Sequence, residues 1–127
     1  MRAHFILHVT GQRVSAKFFG TVLSKKPELD VPGMTEFHLN DGAILGLMPV
    51  AGIKRLLGDR LPDPTLGHGI PRAELYLLDD EAELFHQRAI ENGAVELSPM
   101  LRRDWGHEAA YCLDPDGHVL AFTRERK

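Results

Sequence analysis

The spacing of apolar and polar residues changes several times along the chain, and each change marks an element. "AHFILHV", Ala3 to Val9, is rich in aromatic and β-branched residues and contains no breaker, so it predicts a strand. Thr10, Gly11 and Gln12 interrupt it. In "VSAKFFGTVLSKK", Val14, Phe18 and Val22 recur every four residues and predict one buried helix face. Lys25 and Lys26 then fall in the last turn, where cations suit the helix dipole, and Pro27 ends it. "ELDV" reads as a short strand. "MTEFHL" and "AILGLM" read as two more, joined at Asp41-Gly42, a strong hairpin signal. The first part of the chain is therefore β-α-β-β-β.

The second half repeats this order. "RAELYLL", Arg72 to Leu78, predicts a strand. Asp80 followed by Glu83 resembles a capping box, and Ala82, Phe85, Ala89 and Ile90 form the apolar face of a helix that Gly93 stops. "AVELS" predicts a short strand, and "HEAAYCL" and "HVLAFTR" two more, joined through Asp114-Pro115-Asp116-Gly117. Between the halves, Pro49 to Pro71 is rich in Gly and Pro and predicts a long loop with one helical turn in "IKRLLG". The repeat length is about 60 residues. The expected fold class is α+β: two βαβββ modules forming a cupped mixed sheet around a cleft, helices outside. We expect a single domain, 1–127, with module one about 1–50, a connecting loop about 51–70 and module two about 71–127.

Composition narrows the function. The 127 residues suit one domain, and 43% hydrophobic with 26% charged residues is ordinary for a globular protein. A net charge of −3 with no basic stripe argues against nucleic acid as a partner. No apolar run is long enough for a membrane span, and "MRAHFILHVT" lacks the features of a signal peptide. A cytoplasmic location is expected. Cys112, the one cysteine, lies in a predicted strand and reads as a buried structural thiol.

Strand alternation assigns faces. Phe5, Leu7 and Val9 are expected to pack on the helix, with His4, Ile6 and His8 on the cleft side. Ile44, Gly46, Met48, Leu75, Leu77, Val119, Ala121 and Thr123 are placed on the cleft side too. Small residues at 46, 73 and 121 would leave room for a bulky organic ligand, unless larger neighbours fill the space. His38 and Glu36 lie on a neighbouring strand and could join His4 and His8. Glu36 and Glu74 are single carboxylates that burial would turn into general bases. Arg102, Arg103 and Asp104 read either as charge at the cleft mouth or as solvated loop residues. Gly67-His68-Gly69 fits no phosphate loop, because neither Lys-Ser/Thr nor a helix start follows it.

The order of elements, with "SAKFFGTVL", "GAILGLMP", "RAELYLLDD" followed by "ENGA", and "RDWGHEAAYCLDPDGHVLAF", resembles the vicinal oxygen chelate superfamily. That group includes glyoxalase I, extradiol dioxygenases, fosfomycin-modifying enzymes and bleomycin-binding resistance proteins. The resemblance implies metal ligands in the first and last strand of each half. At those places this chain has His4, Gly46, Ala73 and Ala121, a single donor among four, whereas catalytic divalent sites use about three protein ligands. It also implies that the loop carrying Trp105 reaches the cleft mouth, where the indole would stack on a flat ligand.

The resulting expectation is a glyoxalase/bleomycin-resistance-like protein that binds a small organic ligand without a metal. The ligand-binding residues would be His4, His8, Glu36, His38, Gly46, Met48, Ala73, Trp105 and Ala121. No cofactor is expected. The alternative is a lyase, isomerase or dioxygenase using a divalent metal. The resemblance and the apolar "AHFILHV" strand both imply a homodimer.

Overall fold

The computed structural model describes residues 1–126. The chain divides into two compact units, Met1–His68 and the residues from Gly69 on. Each contains one βαβββ module, and the fold is α+β as the repeat predicts. The two sheets are separate and open, with four strands each.

In the first unit, β1 (Ala3–Val9), α1 (Gln12–Leu23), β2 (Leu29–Val31), β3 (Met34–Asn40) and β4 (Ala43–Pro49) form a sheet ordered β1-β4-β3-β2. β1 runs parallel to β4, and the other pairs are antiparallel. The register aligns Leu7 with Leu47, Phe5 and Phe37 with Leu45, and Thr35 with Leu47, so these residues share one face. α1 covers that face with Phe18, Phe19, Val22 and Leu23, all buried. Phe19, Phe37, Leu45, Leu47 and Val22 are at most 1% exposed, and burying each such side chain contributes about 1.5–3 kcal/mol.

Two details of α1 differ from the expectation. Val14 is 64% exposed, and the buried stripe runs through Ser15, Phe18, Phe19, Val22 and Leu23. An interval of four drifts off the buried face of a 3.6-residue helix, so the Val14 spacing marked only the edge of the stripe. Lys25 and Lys26 lie beyond the helix. Ser24 ends it in the left-handed conformation (φ 54°), and the Lys25 N–H returns to the Gly20 carbonyl.

The Pro49–Pro71 segment is more ordered than a loop. It holds α2 (Val50–Leu57) and two 3-10 turns, Gly58–Arg60 and Pro64–Gly67. Lys54 secures the end of α2 by donating to the carbonyls of Gly58 (3.0 Å) and Leu61 (2.6 Å).

In the second unit, β5 (Glu74–Leu78), α3 (Ala82–Glu91), β6 (Val95–Arg102), β7 (His107–Leu113) and β8 (Val119–Glu125) give the order β5-β8-β7-β6. Here β5 is parallel to β8 and the rest is antiparallel. β6 is longer than "AVELS". α3 buries Ala82, His86 and Ala89 and places Phe85 and His86 against Phe122. The capping box does not form. The Asp79 carboxylate, not that of Asp80, accepts the Glu81 N–H at 2.8 Å, and no side chain caps the helix from its N-cap position.

The two Asp-Gly turns close differently. At Asp41-Gly42 the Asn40 side chain accepts the Gly42 N–H, and neither central residue has a positive φ. At the second turn the buried Asp114 carboxylate accepts the N–H groups of Asp116 and His118, and its other oxygen meets His118 Nδ1 at 2.9 Å. Gly117 has φ +89°, and a Cβ there would stand 2.7 Å from the Gly69 carbonyl oxygen. Gly69, part of the unassigned Gly67-His68-Gly69 stretch, thus packs directly on this turn.

Candidate functional site

The helix-free face of each sheet gathers the candidate residues. In the first unit the ladder pairs His4 with Ile44, Ile6 with Gly46, His8 with Met48, Glu36 with Gly46 and His38 with Ile44. Paired residues share a face, so His4, His8, Glu36, His38, Gly46 and Met48 all lie opposite α1. Among them, His4 Nδ1 and Glu36 Oε2 approach to 3.5 Å, with the carboxylate the better shielded of the two. His38 is exposed at the far end of β3, beside a register shift. Space over Gly46 is already taken: an added Cβ would lie 3.1 Å from Ile6 Cγ1 and 3.3 Å from Met34 Sδ. The missing side chain makes room for the flanking strands.

In the second unit the register corrects two expectations. Ala73 lies outside β5, which begins at Glu74. Leu75 and Leu77 pair with Leu120 and Phe122 and so share the face covered by α3. Glu74 and Tyr76 take the helix-free face, with Val119, Ala121 and Thr123. The run from Leu75 to Leu78 has no polar alternation to set its phase, which is why the cleft-side placement of Leu75 and Leu77 fails.

That face carries a chain of polar aromatic groups. The Trp105 indole N–H donates to the Tyr76 hydroxyl at 2.9 Å, and the same hydroxyl meets His107 Nδ1 at 2.6 Å. Trp105 sits in the β6–β7 turn and is 53% exposed. Tyr76 belongs to one edge strand and His107 to β7. The contact therefore crosses β8, whose Ala121 and Thr123 are small and buried. Along β7, Tyr111 lies under the Arg103 guanidinium, 5.1 Å from ring centroid to Cζ. Arg103 also donates to Ser98 Oγ (2.6 Å) and the Ala109 carbonyl (2.8 Å). It is thus a packed residue, while Arg102 and Asp104 stay exposed. Burial first, then the Glu74 charge and Tyr76, push the Tyr111 phenol above its usual range, with Arg103 opposing.

Tyr76, His107 and Tyr111 were not singled out by sequence. Tyr76 and His107 are 31 residues apart, and only the strand register brings them together. Two surface hollows are lined by other residues, one of them by Glu125, the ladder partner of His107. One of about 510 Å³ lies beside α1, lined by Gln12, Arg13, Lys17 and Asp30 among others. One of about 310 Å³ is lined by Leu78, Asp79, Asp80 and Glu125.

Neither a protein-family model nor a curated protein matches the sequence. Solved structures do match the fold. A glyoxalase-related enzyme from Fulvimarina pelagi aligns with TM-score 0.82 at 21% identity, covering 98% of this chain and 88% of that one. The chain has the vicinal oxygen chelate fold. A protein of unknown function from Agrobacterium tumefaciens aligns with TM-score 0.78 at 19% identity, covering 99% and 95%. A glyoxalase/bleomycin resistance protein from Albidiferax ferrireducens gives 0.73 at 17% identity, covering 97% of each chain.

Metal-using members of this fold need donors that the helix-free faces here do not supply together. Gly46 and Ala121 carry no donor, and Ala73 precedes its strand. His4 and Glu36 form a pair without a third member. Among the described residues, no three His, Cys, Asp or Glu side chains gather as a metal site would require. Among the described residues no helix is long and apolar enough to cross a membrane.

Proposed function

We propose that this protein binds a small organic ligand on the helix-free faces of its sheets, without a metal, and works as a homodimer. One observation carries the reading: the Trp105–Tyr76–His107 chain. Its members hold a half-exposed indole and an oriented hydroxyl on one face, over a floor of small buried residues. Apolar and aromatic surface with a few fixed polar groups is the usual composition of small-molecule sites. On the other sheet, His4 and Glu36 offer a second oriented polar pair. The names of the F. pelagi and A. ferrireducens proteins support a glyoxalase or resistance-type context, in which the ligand is a metabolite or natural product. The homodimer is supported by β1, a sheet edge on which Phe5 and Ile6 are 50% and 42% exposed.

The test is a ligand screen in chelator-treated buffer. Trp105 is the chain's single tryptophan, so its emission reports on one place. A binding ligand is expected to shift that emission and raise the melting temperature together, with chelator present. Ligands that act only after a divalent ion is added would overturn the metal-free reading.

A further inference from the structure

The Tyr76 hydroxyl has a bonding arrangement that selects among ligands. An indole N–H can only donate, so Trp105 occupies one lone pair of the Tyr76 oxygen. The 2.6 Å contact to His107 can run in either direction, and the state of His107 decides which. With Nδ1 bare, Tyr76 gives its proton to His107 and keeps a free lone pair. With a proton on Nδ1, in the neutral Nδ1–H tautomer or in the imidazolium, Nδ1–H donates to the phenol oxygen, which then accepts two bonds. The Tyr76 proton is left pointing outward, and only an acceptor atom can satisfy it.

Resting on the ligand-binding reading above, we propose that Tyr76 binds the acceptor oxygen of a carboxylate-bearing organic ligand, and that His107 takes up a proton as it does so. The surroundings favour an anion in that state. The imidazolium adds a positive charge beside the hydroxyl. Arg103 adds another over Tyr111, and its buried Nε–H has no partner among the described residues.

Other groups face this pair. Glu74 comes from β5, Tyr111 from β7 and Glu125 from β8, opposite His107 in the ladder. Ser98 and Leu101 come from β6, and Asp104 from the turn. Arg126 follows β8, its N–H on the Gly106 carbonyl. Glu74 and Glu125 are the carboxylates on this face that a ligand carboxylate would have to share it with, and the pH dependence proposed here requires His107.

The experiment titrates the full chain with sodium benzoate, followed by Trp105 emission, between about pH 8 and about pH 5.5, the span in which histidine side chains gain a proton. Benzyl alcohol is the uncharged control. Benzoate affinity is expected to rise as pH falls, by up to about tenfold per unit, the limit for one coupled proton. Tyr76→Phe is expected to lose benzoate at every pH, and His107→Gln to bind it without pH dependence. Circular dichroism of both variants checks that they fold. Unchanged affinity in Tyr76→Phe, or a pH dependence surviving in His107→Gln, overturns the proposal. Benzyl alcohol binding with no benzoate binding at any pH overturns it alone. Failure of both probes at this face counts against the ligand-binding reading as well.

Discussion

Gly117 shows how much a single position constrains this chain. Its φ of +89° already disfavours a side chain, and a Cβ would sit 2.7 Å from the Gly69 backbone oxygen, which cannot swing aside. Gly117→Ala is expected to cost about 3 kcal/mol or more, combining backbone strain with the clash. Gly33 has φ +95° but nothing within 4 Å, so Gly33→Ala is expected to cost about 1–2 kcal/mol. Urea unfolding of the two variants measures the difference. Cys112 makes a second prediction. Burial, then the charges of Asp114 and Glu96, push its thiol up to about 12. The folded state therefore keeps a proton that the unfolded chain loses near its ordinary value of 9.0. The stabilisation is fully present below that value and is lost as pH rises above it, at up to about 1.4 kcal/mol per unit. A thiol reagent at pH 8 is expected to react with Cys112 only upon unfolding. The residues read correctly from sequence were those whose chemistry is local: Cys112 in a buried strand, and Asp114 with Gly117 in a turn. Tyr76 and His107 were invisible because neither acts on its own neighbours in the chain.

At the scale of elements, the order βαβββ was legible twice, because turn residues and apolar runs mark strands whatever the tertiary context. Face assignment depended on whether a strand alternates. β1 carries His4 and His8 among apolar residues, and the register puts Phe5, Leu7 and Val9 on the α1 side as expected, although Phe5 stays 50% exposed instead of packing on the helix. β5 runs Leu-Tyr-Leu-Leu with no polar marker, and Leu75 and Leu77 were placed on the wrong face. α2 was underread because Gly52 and nearby prolines suggested a loop, while the bonds of Lys54 to Gly58 and Leu61 that secure its end are visible only in three dimensions. β1 also carries the element-scale prediction. An edge strand with exposed Phe5 and Ile6 is expected to pair between copies. Sedimentation should give about twice 14.2 kDa, with Phe5→Glu moving the protein toward monomer. Monomer at all concentrations in the unmodified chain would remove the dimer from the account.

For the whole molecule, the fold and the chemistry separate. The two modules reproduce a fold shared with solved structures that are at most 21% identical, and a fold alone does not fix a function, so function rests on side chains. Here the small residues at 46 and 121 accommodate Ile6, Met34 and the crossing Tyr76. Among the described residues His4 and Glu36 face each other without a third donor. The central claim is that this chain uses its helix-free faces for an organic ligand and not for a divalent ion. Calorimetric titration of the chelator-stripped protein with nickel, zinc, manganese and iron(II) tests it most directly. No saturable binding near one ion per chain is expected. Tight binding of one ion per chain, abolished in His4→Ala, would contradict it and make His4 and Glu36 the start of a metal centre.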